Sequence, residues 1–120
     1  MKAFWIFFAL VLFSHCGTHQ SHDSSSSVKT ILTASPVMAN YDDCRGVAQG
    51  VYSYCRSSDC RGVVMRNLGY CQSNDCRAMV MGNLGYCTTA DCRAVLTRNQ
   101  GLCETYNCRA VILRNPTLCR

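Results

Sequence analysis

The chain has 120 residues, eleven cysteines and a formal net charge of +5. That charge falls short of the density expected of a nucleic-acid-binding protein, and so many cysteines exclude a reducing compartment as its working environment. Most of the cysteines lie in 44–120, a stretch in which a core alone rarely gives more than about 3–5 kcal/mol, so covalent staples are expected.

Residues 1–16 read as an export signal. Lys2 supplies a minimal positive start, and Ala3 to Phe13 is an unbroken apolar run. It is too short to span a bilayer, which takes about 20 residues. Cys16 follows in Phe13-Ser14-His15-Cys16-Gly17. Its placement resembles the lipid-modified cysteine of a bacterial lipoprotein signal, although His15 stands where a small residue is usual. Ordinary cleavage after Cys16, with Ser14 and Cys16 as the small recognition residues, is the other reading. Either one withdraws Cys16 from disulfide chemistry and leaves an even ten.

Residues 17–40 read as a flexible serine-rich linker that ends in a cap. The stretch 17–27 is polar and without period. His15, His19 and His22 are spaced for one helix face beside Asp23, but in such a tract a solvated linker is expected, not a metal site. Val28 to Asn40 is more apolar and is expected to cover the open face of the first repeat. Pro36 excludes one continuous helix there.

Residues 41–120 form five 16-residue units. They open at Cys44, Cys60, Cys76, Cys92 and Cys108, and each has a second cysteine eleven residues on, at Cys55, Cys71, Cys87, Cys103 and Cys119. Asp43, Asp59, Asp75, Asp91 and Asn107 precede the opening cysteines and suit helix N-caps. Cys60, Val63 and Val64 mark one apolar helical face. The helix should end near Asn67, Asn83, Asn99 or Asn115, with a second short helical turn leading to the second cysteine. Pro116 directly after Asn115 supports that break. The expected class is all-α, a short-helix solenoid of disulfide-stapled repeats.

The cysteines alternate C-x10-C with C-x4-C, unlike zinc sites, and no histidine falls within 41–120. Disulfides are expected, with no metal and no cofactor. Pairing across the C-x4-C gaps strands Cys44 and Cys119 unless the array closes into a ring. Pairing within each C-x10-C leaves none over and is the expectation. It requires each unit to fold back so that the two Cα atoms come within about 4.4–6.8 Å.

Arginine follows every opening cysteine, at Arg45, Arg61, Arg77, Arg93 and Arg109. On a regular solenoid these make a row suited to phosphate or carboxylate groups, such as lipopolysaccharide phosphates, wall polymers or acidic protein surfaces. Helix-end carbonyls are the competing structural use. Arg66, Arg98 and Arg114 suit the helix dipole. Tyr54, Tyr70, Tyr86, Leu102 and Leu118 share one slot, read as core. With no histidine base, no nucleophile pair and no spaced carboxylate pair, the array is not expected to be an enzyme. These features suggest an exported binding or envelope-structural protein, lipid-anchored or extracellular. The alternative is a small secreted effector, a toxin or enzyme inhibitor.

Overall fold

The structure, a computed structural model, describes residues 34–120. The export signal, Cys16, the histidine tract and most of the linker lie outside the described residues. The fold is all-α, with no strand among the described residues. Its five helices are α1 (Tyr41–Gln49), α2 (Ser58–Met65), α3 (Asn74–Met81), α4 (Ala90–Thr97) and α5 (Tyr106–Leu113). A three-residue 3₁₀ turn follows each: Tyr52–Tyr54, Leu68–Tyr70, Leu84–Tyr86, Gln100–Leu102 and Pro116–Leu118. One more, Pro36–Met38, precedes α1.

Each helix starts earlier than the aspartates suggest. The N-caps are Asn40, Ser57, Ser73, Thr89 and Thr105, whose side chains accept from the backbone N–H groups of Asp43, Cys60, Cys76, Cys92 and Cys108. The carboxylates expected to cap lie inside the first turn instead. A hydroxyl or amide already holds the cap, so each carboxylate is free to reach the next unit. Asp59 Oδ1 accepts from the N–H groups of Gln72 and Ser73 at 2.6 and 3.1 Å. Asp43 does the same for Arg56 and Ser57, and Asp91 for Glu104 and Thr105. Asp75 accepts from Thr88 N and from both threonine hydroxyls of the following connection. Thr105 Oγ1 donates to Asp91 in the same way. All four aspartates are buried. Several hydrogen bonds and the helix N-termini on either side satisfy each carboxylate in the interior.

Every helix ends on a left-handed residue at the seventh unit position: Gly50, Arg66, Gly82, Arg98 and Arg114, with φ from 52° to 70°. The N–H of the next residue returns to the third-position carbonyl, as from Asn67 to Gly62 at 2.8 Å. Asn67, Asn83, Asn99 and Asn115 then cap the 3₁₀ turns, accepting from the N–H two residues on at 2.9–3.1 Å. The helix break near these asparagines is where the sequence placed it.

The cysteine pairing differs from the expectation. The bonds are Cys55–Cys60, Cys71–Cys76, Cys87–Cys92, Cys103–Cys108 and Cys44–Cys119. The break after each helix does not fold the unit back on itself. Each 3₁₀ turn ends in an extended residue, such as Cys71 with ψ 122°, which carries the chain forward to the next N-cap. The second cysteine therefore meets the opening cysteine of the following unit, with Cα atoms 5.4–5.6 Å apart. The solenoid closes: α1 packs against both α2 and α5, and the Cys44 and Cys119 Cα atoms lie 5.8 Å apart.

Closure leaves no open terminal face for Val28 to Asn40 to cover. The described part of that segment packs against α1, α2 and α3. Ser35, Val37 and Met38 are buried, and Asn107 Nδ2 donates to Met38 O at 2.9 Å. Met38 shares a core cluster with Cys44, Ala48, Ala110, Val111 and Cys119, against which Val47, Met79 and Val95 pack. The turn seals the ring at the helix N-terminal side.

The third unit position is a close-packing site. It holds Gly46, Gly62, Ala78, Ala94 and Ala110, all buried. A Cβ on Gly62 would lie 2.9 Å from Cys76 Sγ and 3.1 Å from Cys71 Sγ. The bridges facing glycine have Cα separations of 5.4 Å, and those facing alanine 5.6–5.8 Å. One methyl group is taken up by a slightly wider bridge.

Candidate functional site

Sealed at one end, the ring is hollow at the other. A cavity of about 650 Å³ opens among the C-terminal ends of all five helices. The fourth unit position, Val47, Val63, Met79, Val95 and Val111, lines its wall. Val64, Val80, Leu96 and Ile112 at the fifth position widen it. Some of these side chains also brace the inter-unit bridges: Met79 and Leu96 pack against Cys87 and Cys92, and Val95 and Ile112 against Cys103 and Cys108. The mouth carries the left-handed caps, Arg66, Arg98 and Arg114, with Gly50 and Gly82 in the other two units.

The three cap arginines are exposed and have no hydrogen bond or ion pair from their side chains to other described residues. Their backbone conformation costs an L-residue about 1–2 kcal/mol that glycine does not pay. The helix-dipole gain expected of them is about 0.3–1 kcal/mol at an exposed site. On stability alone glycine wins at this position, and two units of the same chain use it.

The first arginine row, Arg45, Arg61, Arg77, Arg93 and Arg109, does not line the cavity, and its members differ. The Arg45 guanidinium lies 4.3 Å from the Tyr54 ring centroid, and Arg109 lies 5.6 Å from that of Tyr106. Arg61 Nη2 reaches the Cys55 carbonyl at 3.5 Å, while its buried Nε has no partner. Arg77 bonds Asn74 Oδ1 at 3.0 Å. Arg77 and Arg93 are exposed; the other three are half-buried. Neighbour contacts engage most of the row unevenly.

The Tyr/Leu slot is core only where the ring closes: Leu118 packs against the Met38 cluster and Tyr54 is half-buried, but the other three are exposed. Tyr70 is 39% exposed, Tyr86 44% and Leu102 47%. In the middle units the 3₁₀ turn holds Tyr70, Tyr86 and Leu102 outward. With Met65, Leu68, Leu84 and Leu113 they make up exposed apolar surface, while Met81, also exposed, lies at the cavity. No helix of the described residues is long and apolar enough to cross a membrane.

Two carboxylate–sulfur clusters, Asp43 with Cys55 and Cys60 and Asp91 with Cys103 and Cys108, bring ligand-type atoms within 4.8 Å of one another. In each the two sulfurs are bonded to each other, and the carboxylate is occupied by backbone N–H groups. No family model, characterised protein or solved structure matches this chain. Its chemistry rests on its own geometry.

Burial also redistributes charge. Within 41–120 ten arginines face six acids. Four of those acids, Asp43, Asp59, Asp75 and Asp91, are buried and hydrogen-bonded. Only Asp42, paired with Arg56 at 2.9 Å, and Glu104 remain near solvent. The solvent-facing charge is far more one-sided than the composition.

Proposed function

We propose that this is an exported, non-enzymatic binding module of the cell envelope that engages an anionic component. The observation that carries the proposal is the set of cap arginines around a central cavity, unpaired among the described residues and on a surface from which most acids have been withdrawn. A one-sided cationic surface draws anionic partners and falls off with salt. Five disulfides fit an oxidising, extracytoplasmic setting. In this reading Cys16 is the lipid anchor and the polar tract 17–27 the tether.

A second reading, a small secreted effector, draws support from the closed circuit of helices, which offers proteases no free terminal repeat. Fractionating the producing cells separates the two. The envelope module is expected in the envelope fraction, released by salt if charge alone holds it and only by detergent if Cys16 is lipidated. Recovery wholly in the medium would favour the effector, and reduced protein in the cytosol would contradict both.

A further inference from the structure

We infer that the cavity binds an anionic amphiphile, with its alkyl chain in the ring and its acidic headgroup among Arg66, Arg98 and Arg114. The inference rests on the binding-module reading above and specifies its ligand class.

Three observations converge. The cavity is of ligand size: binding pockets typically hold about 300–1,000 Å³, and this one holds about 650 Å³. Its wall is a ring of branched and thioether side chains, closed below by the cluster that contains Met38. The lining is mixed, these apolar side chains standing beside a larger share of polar surface, which suits a molecule with both an apolar and a polar part. Its mouth bears three guanidinium groups in strained left-handed backbone with no acidic partner among the described residues. Strain retained where glycine is available points to a use outside folding. Several guanidinium forks on one rim match a carboxylate or phosphate oxygen set. An anion without a tail would leave the apolar side chains of the mixed lining wet, and an uncharged tail would leave the arginines without an anionic partner.

The test uses the oxidised, exported protein and three probes below micelle-forming concentration: decanoate, decanol and inorganic phosphate. Calorimetry is expected to show one decanoate per chain. Decanol and phosphate should each bind at least about tenfold more weakly, as each lacks one of the two interactions. Replacing Arg66, Arg98 and Arg114 with glycine should weaken decanoate about tenfold per arginine without lowering the melting temperature, because glycine relieves the left-handed backbone. The reverse change, Gly82→Arg, adds a fourth guanidinium. Gly82 has φ +68° and open space around its Cβ direction, so this variant should fold and bind decanoate more tightly. Equal binding of decanol would overturn the headgroup assignment, and equal binding of phosphate the tail assignment. A lowered melting temperature in the glycine variants, with decanoate affinity unchanged in Gly82→Arg, would assign the arginines to helix capping. An envelope-bound protein that binds no decanoate would sink this inference and leave the broader reading standing.

Discussion

Asn107 shows how a single atom exchange follows from the fold. The other four units place Asp there, and each carboxylate meets only donors. In the fifth unit the side chain faces donor and acceptors together. Its Oδ1 accepts from Arg120 N at 2.8 Å, while its Nδ2 donates to the Met38 and Arg120 carbonyls at 2.9 and 3.3 Å. A carboxylate would set negative charge against two carbonyl oxygens in a buried site. Asn107→Asp is therefore expected to lower stability by about 1–3 kcal/mol, read as a lower denaturant midpoint at neutral pH. An unchanged midpoint would mean that the Met38 turn does not seat on α5. The substitution itself is visible in the sequence, where it reads as an interchangeable N-cap. Its reason is not, because the acceptors come from residues 69 positions earlier and 13 later. The cap arginines are a similar case. Their place near a helix end is legible, but their left-handed backbone and the cavity they rim exist only once the helices converge.

At the scale of elements, the repeat is a helix that must bury one face against a disulfide. Third-position Gly or Ala is what lets it approach. Ala94 is fully buried beside Cys103 and Cys108, and its methyl group already meets sulfur. Ala94→Leu should cost about 1–3 kcal/mol by overpacking, measured by chemical denaturation of the oxidised protein. A neutral outcome would show that the helices have room to separate. The helices, their breaks and the second turns are legible from capping residues and period. The small third position recurs every 16 residues just as visibly, but periodicity does not say what a small residue lies against. The exposure of Tyr70 and Tyr86 is hidden from the sequence for a related reason: a slot that takes Tyr or Leu reads as a packing position, but nothing local shows whether a neighbour covers its 3₁₀ turn, as the ring covers Val37 and Met38.

For the whole molecule, closure is the central fact. By the chain-entropy estimate, a bond closing a loop of 75 residues restricts the unfolded state by about 4.5 kcal/mol, against about 2 kcal/mol for a separation of five. Cys44–Cys119 thus carries more than any local bridge. It also holds the cavity shut, since α1 and α5 face each other across it. The spacing of the cysteines is compatible with both an open array and a ring. What decides between them is the small rotation from one unit to the next, summed over five units, which no local pattern encodes. Tryptic mapping of the unreduced protein tests this most directly. Cleavage should leave peptide 30–45 joined to 115–120 and peptide 46–56 joined to 57–61. Peptides 67–77, 78–93 and 99–109 should each run alone with an internal bridge. Peptide 30–45 joined instead to 46–56, with 57–61 through 115–120 strung together as one linked set, would contradict the ring.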